Sequence, residues 1–196
     1  MSDLPAAIDV AEEGPREGFQ IEPGPIATAD KIRLIEALSE TGLRQIQACS
    51  FVSPKIVPGW ADADAVAAGF TPKPGVHYTA LWFNEKGLER ALALKDRLTL
   101  YGSITVTASD AFTRKNLNRS HAENLEAQRK QVAVHLGHGV DIRRVSVQAA
   151  FGCNYQGDVP VADVMRVLED AFAIAAEAGV AVGLISLADT MGWANP

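Results

Sequence analysis

The feature that most constrains this chain is an alternation. Short runs of β-branched and apolar residues recur six times, and helical patterns of roughly 10 to 18 residues separate them. An order of this kind permits parallel strands joined by helical crossovers, so the class is α/β. Strands are expected over Ala7 to Glu12, Gln45 to Cys49, His77 to Trp82, Ser103 to Ala108, Arg144 to Ala150 and Val182 to Leu187. Helices are expected from Thr28 to about Thr41, over Ala61 to Ala68, from Glu85 with Asn84 as cap, and from a Ser120/Glu123 capping box to near Gly137. A long amphipathic helix runs through Ala178 with Pro160 at its first position, and Gly42 and Gly179 are helix stops. GPREGFQIEPGP and SDAFTRKNLNRS read as polar loops after the first and fourth strands, and Pro54 and Pro58 keep the loop after the second from becoming helix.

Composition narrows the function classes. With 47% hydrophobic and 21% charged residues the chain can bury a sizeable core. A net charge of -6 without Lys/Arg clusters argues against nucleic acid or an anionic membrane as partner, leaving a small molecule as the expected ligand. The opening MSDLPAAIDV has neither a basic start nor a long apolar run, and no stretch reaches about 18 apolar residues, so a cytoplasmic protein is expected. Two cysteines, Cys49 and Cys153, are too few for a disulfide framework.

In parallel α/β folds, chemistry gathers on the loops after the strands. Arg16, Glu17 and Gln20 follow the first strand; Cys49, Ser50, Ser53 and Lys55 the second; Asn84 the third. Ser109, Asp110, Thr113, Arg114, Lys115, Asn116 and Asn118 follow the fourth, Cys153 to Gln156 the fifth, and Asp189 and Thr190 the sixth. Surface loops are polar by default, so each of these alone is weak evidence.

The motifs carry more. GPREGFQ (14–20) is similar to GPRDGLQ, SFVSPKIVPGWADA (50–63) to SFVSPKxVPQ, ASDAFTRKNLN (108–118) to ASELFTKKNIN, AFGCNYQGD (150–158) to ALGCPYEG, and SLADTMGWANP (186–196) to SLGDTIGVGTP. In these five collinear segments the chain resembles the hydroxymethylglutaryl-CoA lyases, within a larger group of barrel metalloenzymes. The resemblance implies a TIM (β/α)8 barrel. Six units are two short of closure, and 196 residues fall short of the about 250 typical of such a barrel. Residues 1–196 are therefore expected to form an incomplete TIM-barrel domain of about six βα units.

The activity so implied is divalent-metal-dependent cleavage of a 3-hydroxy-3-methylglutaryl-CoA-like thioester to acetyl-CoA and acetoacetate, a step of leucine catabolism. The alternatives within reach are a condensing acyltransferase or aldolase on the same site, or a catalytically incompetent fragment. By resemblance Arg16 stabilises the enolate oxygen, Glu17 is a ligand to Mg2+ or Mn2+, and Asp189 acts at the rim of the metal site. The remaining ligands, a His-x-His pair and an Asn, and a catalytic Cys are expected beyond Pro196. Gln20, Ser50, Lys55, Asn84, Asn116 and Thr190 are the substrate-binding candidates, with an acyl-CoA as partner and a homo-oligomer expected at full length.

Plain alternatives stand beside these roles. Arg16–Glu17 also reads as a surface ion pair, the Lys55 and Arg114–Lys115 charges as solvated, Asn116 and Asn118 as turn closers, and Asp189 as an Asx-turn or cap. His135 and His138 lie where a helix C-terminus favours a cation. Two departures bear on the chemistry: Glu17 stands where the family has Asp, and Gln47, in IQACSF, where the family's IETTSF has Glu.

Overall fold

In the computed structural model, residues 5–195 are described; Met1 to Leu4 of the opening segment and Pro196 lie outside the described residues. The chain divides into two compact units, one ending at Leu100 and the other beginning at Tyr101.

The first unit is built on a parallel sheet in the order β1 (Ala11–Glu12), β2 (Gln45–Ser50), β3 (His77–Leu81). The first strand is much shorter than the expected Ala7 to Glu12. Ala11 pairs with Gln45, where β2 begins, so residues 5–10 have no partner strand among the described residues and run exposed. The second correction concerns the loop after β1, which contains α1 (Gly14–Ile21). Its glycines argue for a loop, but Pro15 supplies a preset helical φ at the N-terminus, and Phe19 packs on the core. Helices α2 (Thr28–Ser39), α3 (Ala63–Gly69) and α4 (Glu85–Leu92) follow, with a 3-10 turn at Pro58–Trp60 before α3. Asn84 caps α4, its side chain accepting from the Gly87 N–H at 3.0 Å.

Strand side chains alternate between faces. Ile46, Ala48, Tyr78 and Ala80 join Ile35, Val66 and Phe70 in the core. Gln47 and Thr79, which are register partners, take the opposite face. A bulge between Gln47 and Cys49 shifts the register, so Cys49 also enters the core while Ser50 pairs with Leu81.

The second unit repeats the plan with a parallel sheet β4 (Gly102–Thr107), β5 (Ile142–Gln148), β6 (Leu184–Leu187). Ile104, Val106, Val145 and Val147 pack with Val167, Ala171 and Ile174 of α7 (Val161–Glu177). The opposite face is polar: register pairs place Thr105 with Ser146 and Thr107 with Gln148. The expected polar loop after β4 is instead α5 (Asp110–Leu117). Ser109 caps it by accepting from the Phe112 N–H at 3.1 Å, and Arg114 and Lys115 lie in its last turn, where positive charge suits the helix dipole. The capping box of α6 (His121–Gly137) forms as the Ser120/Glu123 spacing predicts. Pro160 is the N-cap of α7 rather than its first helical residue, because its ψ of 145° is extended. Among the described residues no helix is long and apolar enough to cross a membrane.

Candidate active site

The polar groups of the first unit converge on Arg16, in the first turn of α1. Its side chain is 14% exposed, and three residues take its donors. Nη2 donates to Glu13 Oε2 at 2.8 Å, Nη1 contacts Glu17 Oε2, and Nε donates to Gln47 Oε1. Burial pulls the Arg16 pKa down from its ordinary value, and the charge and hydrogen bond of Glu13 work against that pull. The Glu17 carboxylate is 54% exposed and so open to a further partner. Gln47, neutral where the family pattern has an acid, is thus a direct partner of Arg16 and lies buried on the sheet face it shares with Thr79.

A brace holds this arrangement from behind. Trp60 is fully buried, and its indole N–H donates to the Arg16 carbonyl oxygen at 2.9 Å. Its ring stacks at a tilt on Phe19 of α1, 5.9 Å between centroids. Lys31 of α2, only 2% exposed, donates to the Gly59 carbonyl at 2.5 Å and to Asp62 Oδ1 at 2.6 Å, with its ammonium 4.9 Å from the Trp60 ring. Burial works to raise the Asp62 pKa, but hydrogen bonds from Lys31 and Thr28 outweigh it and hold the carboxyl below its ordinary value. None of these brace residues stands out in sequence, since a lysine four positions into a helix and a tryptophan in a loop carry no pattern.

The other candidates of this unit are less closely gathered. Ser50 is fully buried, and its oxygen accepts from the Val52 N–H at 3.4 Å. Gln20 Oε1 and Thr79 Oγ1 are buried without a hydrogen-bond partner among the described residues. Lys55 is exposed, and Asn84 is occupied as a helix cap. Burial raises the Cys49 thiol pKa far above its usual range, so Cys49 is an inert core group.

In the second unit the ends of β5 and β6 are laced together. The Ala149 N–H, at φ 51°, donates to Thr190 Oγ1 at 2.8 Å. Asp189 accepts from the N–H groups of Trp193 at 2.7 Å and Ala194 at 3.1 Å, the Asx-type geometry foreseen as its plain alternative. The Trp193 indole N–H donates to Asn154 Oδ1 at 2.8 Å, and its ring packs on Gly152, where a Cβ would come within 2.4 Å of it. Ser109 Oγ lies 3.1 Å from the buried Cys153 Sγ and 3.0 Å from Gln156 Oε1. Asn116 is exposed inside α5 and not on a loop, and Asn118 closes the helix in a left-handed conformation at φ 50°. Arg114, Lys115 and Tyr155 line an open hollow of about 420 Å³.

The donor chemistry suits a hard cation only in part. Glu17 offers an exposed carboxylate after β1, and oxygen donors of this kind suit Mg2+ or Mn2+. No group of three His, Cys, Asp or Glu side chains that could hold a metal occurs among the described residues. Glu17 is thus the exposed carboxylate after β1 that the described residues offer to a hard cation.

Comparison with known proteins agrees along the whole chain. A family model described as HMGL-like matches residues 7–196. The Bacillus subtilis hydroxymethylglutaryl-CoA lyase is 41% identical over 192 residues, covering 98% of this chain and 61% of that protein. Among solved structures, a hydroxymethylglutaryl-CoA lyase from Pseudomonas aeruginosa superposes with a TM-score of 0.85 at 36% identity, covering 99% of this chain and 61% of the other. A further one, from Acinetobacter baumannii and in complex with coenzyme A and 3-methylmalate, has a TM-score of 0.79 at 31% identity, covering all of this chain and 61% of that one. The chain thus spans about three-fifths of the length of these relatives. The shared fold is the (β/α)8 barrel, of which the described residues carry six strands.

Proposed function

This chain belongs to the HMGL-like family, and from that premise we propose that it is part of a divalent-metal-dependent carbon–carbon lyase acting on a 3-hydroxy-3-methylglutaryl-CoA-like thioester. The observation that carries the reading is the Arg16 cluster: a partly buried guanidinium held on three edges, immediately after β1, beside an exposed carboxylate.

The reaction breaks the bond between C2 and C3. The hydroxyl proton passes to a base, the O–H electron pair forms the C=O double bond of the acetoacetate ketone, and the C2–C3 pair becomes the enolate of acetyl-CoA, which is then protonated at C2. Arg16 has five N–H donors, and its contacts with Gln47, Glu13 and Glu17 engage one each. Two remain for the enolate oxygen, and because the guanidinium is already oriented, little reorganisation accompanies the charge as it develops. Glu17 would be one ligand of a divalent cation, which would supply positive charge for the substrate's oxygens and lower the pKa of its hydroxyl. The CoA-bound relative supports a thioester ligand, for whose phosphates Arg114 and Lys115 offer exposed charge. Placement in leucine catabolism, the cytoplasm and a homo-oligomer at full length belongs to the same reading.

The test is product analysis on this chain and on a form extended to the length of its relatives. With Mg2+ or Mn2+ the extended form is expected to release acetyl-CoA and acetoacetate in equal amounts, and Arg16→Gln to lower kcat by about 100- to 1,000-fold, the effect of losing a preorganised donor. An extended protein that folds and releases no acetyl-CoA from any branched 3-hydroxyacyl-CoA overturns the proposal.

A further inference from the structure

The family pattern places an acid at the position of Gln47, and its loss leaves Arg16 with an amide on its Nε edge. One carboxylate already serves the partly buried guanidinium, since Glu17 Oε2 contacts Arg16 Nη1. The structure shows a second carboxylate beside it. Glu13 Oε2 takes the Nη2 edge at 2.8 Å from the residue before α1, one helical turn ahead of Arg16. Glu13 makes no side-chain cap to its own helix, so this contact is not a by-product of capping.

We propose that Glu13 is a positioning residue: its carboxylate replaces the charge absent at Gln47 and holds the Arg16 guanidinium in the plane that meets Gln47. The geometry is specific. Nε, Nη1 and Nη2 point along different edges of a rigid plane, so an acid at 13 and an acid at 47 serve the same cation from different sides. The charge has moved from the strand to the entrance of the helix. That Glu13 serves a reaction rests on the lyase reading, whereas its hold on Arg16 does not.

The experiment follows the Arg16 Nε–H by NMR in the 196-residue chain and in Glu13→Gln, Glu13→Asp and Glu13→Gln/Gln47→Glu variants, with the backbone amides of α1 as a control. Glu13→Gln is expected to speed Nε–H exchange with solvent about tenfold while the α1 amides keep their protection, the scale of losing one charge-assisted hydrogen bond. Glu13→Asp falls in between, and the double variant returns to within about twofold of wild type, since an acid at 47 restores the charge. Exchange unchanged in Glu13→Gln overturns the proposal. So does a loss of α1 protection that Gln47→Glu fails to reverse, which would make Glu13 an ordinary structural residue of the helix entrance. Acetyl-CoA release by the extended protein is scored separately: no release with a tenfold change at Arg16 removes the lyase reading and leaves Glu13's role, and the converse result does the opposite.

Discussion

Lys31→Met tests whether the brace behind Arg16 is an energetic element of the first unit. In the wild type the ammonium, almost fully removed from water, donates to Asp62 at 2.6 Å and to the Gly59 carbonyl at 2.5 Å and faces the Trp60 ring. Methionine keeps the stem and removes the charge. Breaking a buried pair from one side costs about 3–5 kcal/mol. Asp62 keeps a quarter of its side chain in water and recovers solvation there, which moves the value to the lower end, about 3 kcal/mol. With a urea m-value of about 2 kcal/mol/M this lowers the midpoint by about 1.5 M. Unfolding is best followed through amides of Ile35 and Ile46, which report the first unit alone, because two units need not melt together. The carboxyl partner fixes a pH signature. Its folded-state pKa is depressed, so its contribution is present above the unfolded value of about 3.9 and is lost as pH falls through the lower folded value. The gap between wild type and Lys31→Met should therefore hold from pH 7 to about 5 and shrink below about pH 4. A cost under about 0.5 kcal/mol at pH 7, or a gap that stays constant into acid, would refute the reasoning.

Two further predictions concern the second unit. Gly152→Ala places a Cβ within 2.4 Å of the Trp193 ring at a φ of 154°, so it should destabilise the unit by about 2 kcal/mol or more and shift the Trp193 indole N–H resonance away from its Asn154-bonded position. An unmoved resonance would show that the ring does not depend on the glycine. Burial lowers the His135 pKa, against an opposing hydrogen bond with the Gln131 carbonyl. Folding thus favours the neutral ring, and the contribution present above about pH 6.5 is lost as pH falls through the lower folded value. An NMR titration placing His135 at or above the free-histidine value would contradict this.

Much of the site was legible before the fold, and the part that was not has a common cause. Local rules predicted Asn84 as a cap and the Ser120/Glu123 box, because both act within one turn of chain. The same rules missed α1 and α5. Their glycines and asparagines argue for loops, and their helical state rests on Pro15 and Phe19 in one case and on the Ser109 cap in the other. Asp189 and Thr190 were placed after the correct strand; the Asp189 bonds to Trp193 and Ala194 stay within one loop, but the Thr190 bond to Ala149 depends on how two loops meet.

The alternation of strands and helices, the motifs that identify the family and the position of polar residues after each strand are properties of sequence order, and the sequence determined them unaided. Tertiary structure decided what Arg16 touches. Glu13 lies three residues away along the chain, whereas Gln47 lies thirty-one and Trp60 forty-four away, and the packing of α1 against β2 and the Pro58–Trp60 turn brings these two distant partners within hydrogen-bond reach. Hydrogen bonds and ion pairs act over a few ångströms of space regardless of chain distance, so the partners of a charged group are set by packing, even where its identity is already written in a motif.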